Sequence, residues 1–256
     1  MVLTYIDNLS SSHQLLKSAS ELALQLGKNF SVLSFVKSEN QTDEQSNIIS
    51  EQLKYLNITE AKVMVENGTI NNLSEIAENK EVSFLFLQLS EISKRKIRFF
   101  LSACRDLRIP YILYKDEFKV LKMNEVLVPV NYLEEEVEKA QFGAAFGRFC
   151  DSTVRLLVAK DYGSKADKNA EKIVEIFNKF NFNFSVEKGK SDSFKIDKEA
   201  VATAGHRNAG LIIVSASREY GLDDILFGPK ELHLIKRSDC PILLINPRAD
   251  LYALCD

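Results

Sequence analysis

One pattern runs twice along the 256 residues, and a self-similar pattern constrains an architecture before any single motif does. Val2-Leu3-Thr4-Tyr5-Ile6-Asp7 is an apolar run ending in a polar residue, and Val126-Leu127-Val128-Pro129-Val130-Asn131 has the same form about 120 residues later. Each run predicts a buried strand. A helical stretch follows each: 13–27, with Leu15, Leu16, Ala19, Leu22, Ala23 and Leu26 in step, and 134–149, with Val137, Ala140, Phe142, Ala144, Ala145 and Phe149 in step. Both lead into strands, at 30–36 and 153–159. Further on, Val63-Met64-Val65-Glu66-Asn67-Gly68 matches Phe184-Ser185-Val186-Glu187-Lys188-Gly189, each a strand running into glycine and then an amphipathic helix. The two most apolar strands, 84–87 and 211–214, come next. Each copy closes on a strand with proline near its start, 109–114 and 240–245, a placement that suits the edge of a sheet.

Apolar strands that alternate with helices are buried on both faces, so they predict parallel sheets covered by helices on each side. The expected fold is α/β, with two tandem, doubly wound, Rossmann-like domains of five parallel strands each. Charged residues break the apolar pattern over 115–124, which places the domains at 1–118 and 119–256. The length agrees, since it is nearly twice what one hydrophobic core usually needs.

Composition excludes several classes of function. With 33 basic and 36 acidic residues spread along the chain, the net charge of -3 gives no broad positive field for nucleic acid or an anionic membrane. No apolar run approaches the roughly 20 residues of a membrane helix, and the first residues carry neither a basic region nor a cleavage site. A cytoplasmic location is the expectation, with Cys104, Cys150, Cys240 and Cys255 as reduced thiols and Cys240 packed in the interior. No P-loop, G-x-S-x-G elbow or H-E-x-x-H pair is present. No metal site is expected, since His13 and His233 lack partners at ligand spacing.

The repeat resembles the universal stress protein family, whose fold is a five-stranded, adenine nucleotide alpha hydrolase-like sheet and whose tandem members carry two copies in one chain. The resemblance rests on the strand ends Tyr5-Ile6-Asp7 and Pro129-Val130-Asn131, the strand-glycine-helix steps at Gly68 and Gly189, and the segment 221–245. It implies an intramolecular pseudo-dimer paired through the fifth strands, and in nucleotide-binding members a phosphate loop of the form Gly, two residues, Gly, nine residues, Gly, Ser or Thr. Here Ser215 and Arg218 stand at the first two glycines, Gly228 is kept, and Pro229 replaces the hydroxyl. Proline removes a backbone donor as well as the side-chain one. Glu219, Asp223 and Asp224 within the loop, and Glu134, Glu135 and Glu136 near the start of the first helix, would repel phosphate.

The first copy keeps Asp7, matching the acidic residue that meets the nucleotide in the family. Its loop does not survive, because 88–100 holds no glycine and a basic cluster, 94–98, stands in its place. The second copy has Asn131 where the family has aspartate. The expected site is therefore a vestigial nucleotide site comprising Asp7, Gly68, Asn131, Gly189, Ser215, Gly221 and Gly228, with no cofactor, no catalytic residue and function exerted through a protein partner the sequence does not name. An ATP- or AMP-binding sensor working through Gly221 and Gly228 of the second copy stays open as an alternative, as does a homodimer. The basic cluster reads either as a solvated helix face or as a site for an anion or acidic partner. His206, just before the fourth strand of the second copy, reads as a loop residue near a helix end or as an acid-base group in the crevice between strands.

Overall fold

The computed structural model describes residues 1–217 and 228–248. The chain divides into two units, Met1–Leu121 and Lys122–Asp256. Residues 119–121 stay with the first because Leu121 is buried and its N–H donates to Ser18 Oγ at 2.8 Å. The same Ser18 hydroxyl lies 2.9 Å from the hydroxyl of Tyr114, whose pKa burial pushes up to about 12.

In the first unit the chain runs β1 (Val2–Tyr5), α1 (His13–Gln25), β2 (Phe30–Val36), α2 (Thr42–Tyr55), β3 (Lys62–Asn67), α3 (Leu73–Asn79), β4 (Phe84–Leu89), α4 (Lys94–Ala103) and β5 (Tyr111–Lys115). Its strands lie in the order β3-β2-β1-β4-β5, all parallel, with Val2 opposite both Phe30 and Phe84. Every residue of β4 is buried, as a central strand covered on both faces requires. Helix α1 packs one stripe, Leu15, Leu16, Ala19, Leu22 and Ala23, at the three- and four-residue spacing read from the sequence. It ends where Gly27 takes a left-handed φ of 60°, and the amides of Gly27 and Lys28 close back on Leu24 and Ala23. Helix α2 has a thin apolar face, with only Ile49 and Leu53 buried, which is why the pattern between the second and third strands is weak.

The second unit repeats the plan with β6 (Glu125–Val130), α5 (Lys139–Phe149), β7 (Thr153–Val158), α6 (Lys165–Phe177), β8 (Phe184–Lys188), α7 (Ile196–Thr203), β9 (Leu211–Ser215), α8 (Lys230–Arg237) and β10 (Ile242–Ile245). Its parallel order is β10-β9-β6-β7-β8. The helix expected over 134–149 begins as a 3-10 turn, Glu134–Glu138, before the α-helix sets in. Cys240, expected in the interior, is only half-buried.

On one face of β7, Arg155 pairs with Glu125 of β6 and Glu187 of β8, and Arg207 reaches the same Glu187. Burial raises the Glu187 pKa, but hydrogen bonds and charge from Arg155 and Arg207 outweigh it and hold the carboxyl below its usual 4.5. A depressed carboxyl contributes stability above its unfolded pKa and loses it as pH falls through the folded value. The difference in urea-unfolding stability between wild type and Glu187→Gln is therefore expected to be constant near neutrality and to shrink below about pH 4.5. A difference that stays the same at acid pH would contradict this.

Candidate functional site

Ligands of doubly wound sheets bind outside the carboxyl ends of the strands, where the strand order reverses. That point falls between β1 and β4 in the first unit and between β6 and β9 in the second.

In the first unit the polar groups at the crevice are held by neighbouring side chains. Gln88, fully buried on β4, accepts the amides of Asp7 and Asn8 on its Oε1 at 3.0 and 2.9 Å. Its Nε2 donates to the Asn8 carbonyl at 2.8 Å and lies 3.0 Å from Asp116 Oδ1. The Asp7 carboxylate forms an ion pair with Lys96, the third residue of α4, and accepts from Ser90 Oγ at 3.2 Å. Lys96 also donates to Ser90 Oγ at 2.6 Å. Both the amides at the end of β1 and the charge of Asp7 thus have internal partners.

The second unit reaches the same end by different residues. Asn131 folds its side chain back to accept from the Leu133 amide at 2.8 Å, while its own amide donates to Glu136 Oε2 at 3.0 Å. Lys139 holds that carboxylate at 2.8 Å and donates to the Pro129 carbonyl at 2.6 Å, and neither charged side chain has any exposure. Beyond Ser215, the buried last residue of β9, the Ser217 amide donates to the carboxylate of Glu231 on α8. Burial disfavours the charge on Lys230, yet the carboxylates of Asp197, Glu231 and Glu136 outweigh it and keep the ammonium above its usual pKa. Its Nζ lies 3.1 Å from Asp197 Oδ2.

Both strand-glycine-helix steps are packing positions. A Cβ at Gly189 would lie 2.4 Å from Ile196 Cδ1 and 3.3 Å from the Val158 carbonyl, and one at Gly68 would lie 2.9 Å from Asn72 Oδ1. The amides that follow Gly189, those of Lys190 and Ser191, donate to Glu199 at 3.0 and 2.7 Å. Burial raises the Glu199 pKa, but these bonds outweigh it and hold the carboxyl below its usual value. Gly228 has a left-handed φ of 91°, and Pro229 stands at the N-cap of α8 without a side-chain cap bond. Gly221, Arg218, Glu219, Asp223 and Asp224 lie outside the described residues.

The structure thus brings Asp7 to one crevice and Asn131 and Ser215 to the other, as the strand ends dictate. It adds Gln88, Lys139, Glu231 and Glu199, and it gives Glu136 and Lys96, charges already read from the sequence at these places, internal partners; for Lys139 the three-residue spacing from Glu136 is a signal in the sequence. His206 is not in the crevice. It is exposed in a 3-10 turn before β9, at the opposite end of that strand from Ser215, and five residues of strand span roughly 16 Å. Among the described residues no group of three or more His, Cys, Asp or Glu could hold a metal ion, and no helix is long and apolar enough to cross a membrane.

Tandem α/β units with these crevices define a class, and comparison with solved structures places its fold. A universal stress protein from Archaeoglobus fulgidus matches over 97% of this chain and 97% of its own, with 16% identity and a TM-score of 0.68. A Pseudomonas aeruginosa protein described as a universal stress protein matches over 99% and 95%, with 11% identity and a TM-score of 0.58. Another P. aeruginosa protein, of unknown function, covers 99% and 94% at 12% identity and a TM-score of 0.55. No protein-family profile and no curated protein sequence matches the chain. The chain has the universal stress protein fold, in tandem, over nearly its whole length.

Proposed function

We propose that this chain is a universal stress protein-like, non-catalytic binding protein acting in a stress response or its regulation, cytoplasmic, and without ATP binding. The observation that carries the reading is that, among the described residues, internal acceptors hold amides at both crevices: Gln88 takes those of Asp7 and Asn8 in the first, and Glu136, Glu231 and Glu199 take those of Asn131, Ser217 and Ser191 in the second. Phosphate binding at such loops needs free amides converging on the anion. In the second unit a nucleotide would also bring its negative charge against the Glu136, Glu231 and Asp197 carboxylates. Among the described residues, Lys139 and Lys230 are the cations set against those carboxylates.

The reading includes pairing of the two domains through their fifth strands, supported by the apolar character of Ile112-Leu113 and Leu243-Leu244, and action through a protein partner. One observation favours an ATP- or AMP-binding sensor instead, the left-handed backbone retained at Gly228, a conformation that glycine-rich phosphate loops use. Mass spectrometry of small molecules released from freshly purified protein separates the two. No adenine nucleotide is expected; a stoichiometric one would sink the non-binding reading.

A further inference from the structure

We propose that the exposed face of α4, formed by Lys94, Arg95, Arg98 and Phe99, docks an acidic segment of a partner protein. Residues 94–98 place four cations in five positions on a chain whose net charge is -3. Only Lys96 turns inward, to Asp7. Lys94 and Arg95 are exposed and Arg98 half-exposed, and none of the three makes a side-chain hydrogen bond or ion pair with a described residue. Elsewhere Arg155, Arg207 and Lys188 each have carboxylate partners. The first turn of α4 holds no acidic residue to offset the cluster.

Beside these cations the ring of Phe99 is 46% exposed, although Phe100 next to it is buried. Glu91, Ser93, Arg95, Lys96, Arg98 and Phe99 line one open cleft of about 730 Å3. Arginine and phenylalanine are enriched where proteins meet, and arginine clusters are a recurring means of reading acidic motifs, through forked bonds to carboxylates. The lone Glu91 at the rim disfavours a compact polyphosphate more than an extended peptide, whose carboxylates can space themselves along Arg95 and Arg98 while an apolar side chain covers Phe99.

The proposal rests on reading the chain as a binding protein, but its test uses no nucleotide, so the two can fail separately. Fluorescence anisotropy of a labelled Asp/Glu-rich peptide bearing one Leu, titrated with the full chain, is expected to show saturable, salt-sensitive binding. The Asn/Gln version of the peptide should not bind. Arg95→Glu with Arg98→Glu should weaken binding by at least about tenfold, and Phe99→Ser should weaken it with little change in salt dependence. All three positions are at least partly exposed, so circular dichroism melts should match wild type. Undiminished binding by the double variant, or no binding by wild type, would overturn the proposal. So would equal displacement by duplex DNA or inorganic polyphosphate, which would mark a general polyanion surface, or self-association lost in the double variant, which would assign the face to a second copy.

Discussion

Lys139→Met should destabilise the second domain by about 3–5 kcal/mol. The ammonium is fully buried, 2.8 Å from a Glu136 carboxylate that is itself fully buried. Removing it leaves a charge whose second oxygen already lacks a hydrogen-bond partner, with the Asn131 amide on the first and the Lys230 ammonium, itself drawn to Asp197 and Glu231, as the remaining cation near it. The double variant Lys139→Met with Glu136→Met should recover much of the loss, because it is the uncompensated charge and not the absence of the pair that costs stability. Urea unfolding of the three proteins checks this. A single-variant loss below about 1 kcal/mol would show that water reaches the pair.

Gly210→Ala should cost about 3 kcal/mol or more, because the new Cβ would lie 1.7 Å from the carbonyl oxygen of Lys122. Neither atom can swing away. The carbonyl is backbone, and Gly210 is tied to the Glu125 carbonyl by its own amide at 2.9 Å at the entry to β9. Gly205 is the control: a Cβ there meets nothing within 4 Å, so Gly205→Ala should stay within about 1 kcal/mol of wild type. Thermal melts with equal midpoints for the two variants would mean that segment 122–125 shifts to make room.

The strands were legible because burial on both faces leaves unbroken apolar runs, as in Phe84-Leu85-Phe86-Leu87 and Leu211-Ile212-Ile213-Val214. Helix α1 was legible from its stripe. The 3-10 start of the 134–149 helix was not, since three consecutive glutamates carry no apolar period to show it, and that Glu136 turns inward to the Asn131 amide and Lys139 depends on partners the spacing does not name. In the crevices, Asp7 and Asn131 could be placed because they end apolar runs. Gln88 could not: it sits inside an apolar strand, and its partners, Asp7 and Asn8, lie 81 and 80 residues away. Lys139 resembles any helical surface lysine until its carboxylate and carbonyl partners are known. His206 was placed on the correct side of β9, but chain order alone does not say that ligands gather at the other end of a parallel strand; the topology does.

Side chains of the chain itself hold the described amides at both crevices. A thermal-unfolding titration with Mg-ATP, ADP and AMP tests it most directly, since a ligand at 100 times its dissociation constant stabilises by about 2.7 kcal/mol and raises the midpoint by several degrees. A flat midpoint is expected with all three nucleotides. A saturable rise with any of them would contradict it, and would mean that nucleotide displaces Gln88, Glu136 or Glu231 from the amides they hold.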